Sequence, residues 1–86
     1  SGSHLRVSGV QGTGLTANLL TLQTSEGWRV RTRFGASTGG AFQTTEPLDP
    51  GDYVLRINAA AWEPIELPFA AVEGEVTELE LKLQPR

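Results

Sequence analysis

The chain predicts an all-β domain, a seven-stranded Greek-key β-sandwich, on three observations. Several short runs alternate apolar and polar residues with a period of two, the pattern of strands buried on one face. Clusters of Gly, Pro, Asp and Ser separate these runs at short intervals. No window carries the 3.6-residue period of an amphipathic helix. Seven short strands in 86 residues call for two sheets packed face to face, each hiding one alternating face against the other.

The best-specified element is the turn and strand from Pro47 to Ala60. In Asp49-Pro50-Gly51-Asp52, Pro50 fixes φ and Gly51 permits positive φ, so the four residues read as a tight turn. Tyr53, Leu55 and Ile57 then share one face of an extended segment, with Val54, Arg56 and Asn58 on the other. A turn so well defined sets where the strand begins and therefore which face enters the core.

The other elements follow in chain order. Leu5 to Val10 alternates loosely and reads as a first strand, broken by Gln11-Gly12-Thr13-Gly14. That Gly-x-Gly has no third glycine, no lysine and no following helical pattern, so it reads as a turn and not as a phosphate loop. Leu15 to Gln23 carries leucine on both faces. We favour Leu20 and Leu22 inward. Thr24-Ser25-Glu26-Gly27 is a turn. Trp28 to Phe34 is the cleanest alternation in the chain. Trp28, Val30, Thr32 and Phe34 form one face; Arg29, Arg31 and Arg33 form the other, at spacings of roughly 6.5–7 Å along an extended strand.

Gly35 to Gly40 reads as a loop and Ala41 to Thr45 as a brief strand. Ile65 to Phe69 alternates again, but Pro68 has no N–H to give a ladder, which places this strand at a sheet edge or interrupts it there. Glu73-Gly74-Glu75 turns the chain into a closing strand, with Leu79, Leu81 and Leu83 inward and Glu78, Glu80 and Lys82 in water.

Composition narrows function by exclusion. The chain has no cysteine, which removes thiol nucleophiles, thiolate–metal bonds and disulfides together. Ser1-Gly2-Ser3-His4 reads as a cloning remnant ahead of a single β-sandwich domain at residues 5–86, and that sets aside the one histidine. With no initiating methionine, the simplest reading is a soluble fragment of a longer protein. No apolar run approaches the ~20 residues of a membrane span, so membrane insertion is not expected. Net charge is −3, split as five Arg against four acids over residues 1–62 (+1) and six Glu against Lys82 and Arg86 over residues 63–86 (−4). Such a balance argues against general nucleic-acid binding.

The run Thr38-Gly39-Gly40-Ala41-Phe42, followed by Leu48-Asp49-Pro50-Gly51-Asp52-Tyr53-Val54-Leu55-Arg56-Ile57 and the closing Leu79, Leu81 and Leu83, resembles the carboxypeptidase regulatory-like and Cna-B-like group of prealbumin-like (transthyretin-like) sandwiches. The resemblance spans about residues 5–84. It implies a prealbumin-like or immunoglobulin-like fold in a bacterial protein, extracellular or periplasmic. Such modules are appended to many unrelated proteins, so it implies little about chemistry. Isopeptide-forming members use a first-strand lysine, and no lysine precedes Lys82 here. Transthyretin-like hydrolases use histidines and a C-terminal tetrapeptide that Leu83-Gln84-Pro85-Arg86 does not match.

Other constellations have ordinary structural readings. Glu63 with Glu66, or Asp49 with Asp52, could serve as paired carboxylates, but both pairs flank prolines where acids solvate turns. Glu46, Asp49 and Asp52 could bind calcium, although their spacing is not that of a helix–loop–helix calcium site. Neither catalysis nor any cofactor or metal is expected. The arginine face reads first as a solvated surface paired across strands with Glu78 or Glu80. Its sharper reading is a docking surface for an acidic partner or an anionic polysaccharide, since Arg binds carboxylates bidentately. Of the two tryptophans, Trp28 is expected in the core beside Val30 and Phe34; Trp62, in a loop, is the better candidate for an exposed contact, although core or loop anchoring is the leading role. The expectation is therefore a non-catalytic module that docks a protein partner or spaces the neighbouring domains of its parent chain. The alternative is a carbohydrate-binding module using Trp62 with Arg29, Arg31 and Arg33.

Overall fold

The computed structural model describes residues 2–86. It is all-β, with eight strands in place of the expected seven: β1 (His4–Ser8), β2 (Leu20–Thr24), β3 (Arg29–Val30), β4 (Phe34–Ala36), β5 (Phe42–Thr44), β6 (Gly51–Ile57), β7 (Ile65–Ala71) and β8 (Val76–Glu80). One open sheet has the order β4-β5-β1-β8 and the other β3-β2-β6-β7. The second sheet is antiparallel throughout. In the first, β1 runs antiparallel to β5 but parallel to β8.

Strand β6 is the inner spine of its sheet. Tyr53, Leu55 and Ile57 are buried as their alternation predicts, while Arg56 and Asp52 are exposed. The phenol of Tyr53 donates to the Asp49 carbonyl at 2.6 Å, bracing the preceding turn against the strand it launches. Its ring stacks on Phe69 of β7, with centroids 5.6 Å apart. Leu20 and Leu22 point inward from β2. Leu5 and Val7 answer them from β1 in the opposite sheet, and Phe34 and Leu81 complete the shared core. Burying apolar area at about 25 cal/mol per Å² is the principal force holding the layers together, since no disulfide contributes.

Strand β7 lies at a sheet edge, where Pro68 sits opposite Val54 without breaking the ladder. Parallel strand β8 is closed against β1 by a tight approach. Leu81 N donates to the Ser8 carbonyl at 3.0 Å, and Gly9 then turns with φ 81°. A Cβ at Gly9 would come within 2.7 Å of the Leu81 carbonyl oxygen, so only glycine fits there.

Four expectations are corrected. Residues 15–23 are not one strand: Ala17–Leu19 form a single 3₁₀ turn and β2 begins at Leu20. Residues 28–34 are not one strand either. The chain pairs with β2 only over Arg29 and Val30, crosses to the other sheet through residues 31–33, and pairs with β5 from Phe34. This crossing raises the count to eight. Trp28 is not in the core; it is 74% exposed. It follows Gly27, whose φ of 97° closes the β2–β3 hairpin, so its backbone serves the turn and its side chain has no layer above it. Finally, fold participation starts before Leu5. Ser3 is buried, with its Oγ donating to the Leu48 carbonyl at 2.9 Å, and His4 opens β1 opposite Val76.

Candidate functional site

The three arginines sit where the chain changes sheets. Arg29 lies on β3, the outermost strand of its sheet, and Arg31 and Arg33 lie in the crossing segment. All three side chains are exposed, whereas Val30 and Thr32 are half-buried and Phe34 is buried. The alternation therefore survives the break in hydrogen bonding, because the core still takes every second residue.

The arginines are not paired with the closing strand, contrary to expectation. Glu78 is taken by Arg6 at 2.8 Å, and Arg6 also donates to the Thr38 carbonyl. Arg56 pairs with Glu66 across β6 and β7 at 3.1 Å. Among the described residues, no ion pair involves Arg29, Arg31 or Arg33. The physical reason is topological: β8 lies at the far edge of the opposite sheet, separated from β4 by β5 and β1.

Two grooves adjoin this segment. The smaller, about 400 Å³, is the fork left where the chain departs from β2. Leu20, Leu22, Val30 and Phe34 line it on the apolar side, with Arg29 and Arg33 beside them. The wider and shallower one, about 770 Å³, runs along Arg29, Arg31 and Arg33 and includes Glu46. Thr32 lines both, and its hydroxyl is buried with no hydrogen-bond partner. Leaving a buried hydroxyl unpartnered costs on the order of 1–3 kcal/mol, which makes it unusual away from a site of contact.

Trp62 takes the expected anchoring role and not that of an exposed contact. It is half-buried against the core and its indole N–H donates to the Thr13 carbonyl at 3.0 Å. It also bridges to Pro85. Its ring anchors the Gln11–Gly14 turn to the C-terminal strand region and does not lie with the arginines. The exposed aromatic beside Arg29 is Trp28.

The carboxylate candidates remain solvated. Glu63, Glu66, Asp49 and Asp52 are exposed, and Glu66 is engaged by Arg56. Among the described residues, no group of three or more His, Asp or Glu side chains forms a metal-binding cluster, including the trio Glu46, Asp49 and Asp52. No helix of the described residues is long and apolar enough to cross a membrane. What the sequence reading missed is the fork itself, with Leu20, Leu22 and Thr32 around it.

Compared with family models, curated proteins and solved structures, the chain has no significant match to any.

Proposed function

We propose that this domain is a non-catalytic β-sandwich module of a larger exported protein, acting by protein–protein docking through the segment that carries Arg29, Arg31 and Arg33. The observation behind this reading is that three guanidiniums, exposed on edge strand β3 and the crossing segment that follows it, have no carboxylate within ion-pairing distance among the described residues. Cations so arranged recognise carboxylates bidentately and steer an acidic partner from a distance. A spacer role for the rest of the domain is compatible with the same surface.

The carboxypeptidase regulatory-like, prealbumin-like assignment is part of this proposal and carries the extracellular or periplasmic location with it. The immunoglobulin-like, Greek-key part of the reading is supported by the tyrosine that braces its own turn through Asp49, an arrangement of the kind that immunoglobulin-like sandwiches use at a strand corner.

A carbohydrate-binding reading is favoured by one observation, the exposed indole of Trp28 next to Arg29. In that reading Trp28 replaces Trp62 as the stacking platform. Titration of intrinsic fluorescence with a panel of neutral and anionic oligosaccharides separates the two. Docking to protein alone expects no change in emission. Saturable quenching that disappears in Trp28→Phe and persists in Trp62→Phe would instead establish the carbohydrate reading.

A further inference from the structure

We propose that the fork between β2 and residues 30–34 is a seat for an extended acidic segment of a partner protein, with an apolar side chain placed between its carboxylates. The inference deepens the docking reading and rests on it. The fork is of about 400 Å³, within the range of natural binding pockets. Its apolar side is made by Leu20, Leu22, Val30 and Phe34, and cations flank it at Arg29 and Arg33.

Three features select an extended chain as the occupant. The β2–β3 ladder ends at the Leu22–Val30 pair, although β2 continues to Leu20; Thr21 faces β6, and Leu20, whose N–H is held by the Ala17 carbonyl, has no strand neighbour on that side. An added strand would supply one, as in other cases of strand addition to a sheet edge. Second, Arg29, Arg31 and Arg33 recur at every second residue and are all exposed, the same period as carboxylates at alternate positions of an extended peptide. A small carboxylate could meet only one of them. Third, Thr32 lines both grooves and its hydroxyl lies buried beneath them without a partner. A backbone carbonyl or amide of the incoming chain would satisfy it once the crossing segment shifts to expose it.

Among the described residues Glu46 is the one acid lining this region, and it stands in the wider groove with no ion pair to any arginine. It opposes an acidic ligand by like-charge repulsion, so Glu46→Gln should tighten binding.

The test uses the 86-residue chain and a fluorescein-labelled hexapeptide of alternating Glu and Val, read by anisotropy at low salt and by amide chemical shifts. Saturable binding is expected, with shifts confined to residues 20–22 and 29–34 and affinity falling as salt rises. Replacing all three arginines by Glu should weaken binding about tenfold or more while leaving the melting temperature unchanged. Methylating alternate peptide nitrogens should weaken it about tenfold through lost strand pairing. If the methylated peptide binds equally well at the same residues, strand addition is overturned while docking to the arginine surface stands. If the unmethylated peptide fails but a sulfated oligosaccharide shifts the same signals, both the peptide occupant and protein docking are overturned. Concentration-dependent dimerisation in sedimentation, perturbing residues 29–34, would give the seat to a second copy and overturn the partner segment. A folded protein that binds no anionic probe removes seat and docking surface together.

Discussion

Leu55 has no exposed surface and stands at the centre of β6, with core leucines from both sheets around it. Truncating it removes buried methyl groups and leaves a cavity that a two-layer sandwich can close only in part. Leu55→Ala should therefore lower the unfolding free energy by about 2–5 kcal/mol in urea titration. Trp28→Ala, although it deletes a larger side chain, should change it by less than about 0.5 kcal/mol, because that ring is already in water. The contrast is sharp because alternation alone ranks the two residues together. Tyr53 adds a pH signature. Burial, and secondarily the charge of Asp49, raise its phenol above the ordinary value of 10.0. The unfolded chain thus releases this proton first as pH rises. The associated stability is complete below about pH 10 and is lost as pH climbs through the raised folded-state value. The chain holds one tyrosine and one lysine, Lys82, which is exposed. Tyr53→Phe should therefore flatten the alkaline fall in the urea midpoint, at the cost of about 1 kcal/mol at neutral pH for the lost bond to Asp49.

At the scale of elements, β6 and β7 were legible because each is one strand with one buried face. Tyr53, Leu55 and Ile57 needed only a period of two, and Pro68 marked its edge by the donor it lacks. Segment 28–36 shows where such reading stops. Alternation reports which residues the core takes, not which sheet supplies their hydrogen bonds, so one clean run became β3, a crossing and β4. For the same reason Trp28 was misplaced: the pattern that buries Val30 and Phe34 begins only after the turn through Gly27. Ion pairs were equally invisible, since Arg6 meets Glu78 through a parallel pairing that no local signal announces. The two cross-strand pairs should differ in weight. The Arg6 side chain is 24% exposed and also holds the Thr38 carbonyl, while both partners of the Arg56–Glu66 pair are more than half exposed. Arg6→Ala should destabilise by about 1–2 kcal/mol and Arg56→Ala by less than about 0.5, with high salt shrinking the second effect more than the first.

Across the whole molecule, charge follows topology. The arginine-bearing edge, where β3 and β4 hand the chain from sheet to sheet, lies opposite the edge formed by β7 and β8, where Glu66, Glu73, Glu75, Glu78 and Glu80 gather. Residues 63–86 alone carry −4, so the imbalance seen along the sequence becomes an imbalance across the sandwich. Like edges repel, and that guards both sheets against pairing with copies of themselves edge to matching edge. Layer number, core residues and the two Pro-marked features could be read from one dimension. Strand order, the parallel β1–β8 contact and the fork could not, because they depend on pairings between residues up to 72 positions apart. The most direct measurement is amide hydrogen exchange of the free protein, resolved by NMR. Slow exchange is expected for inner amides of β1, β2 and β6, with Arg31 and Thr32 exchanging nearly as fast as an unfolded chain. Uniform protection from Arg29 through Ala36 would show one unbroken strand there, leaving no crossing, no fork and no free cationic edge.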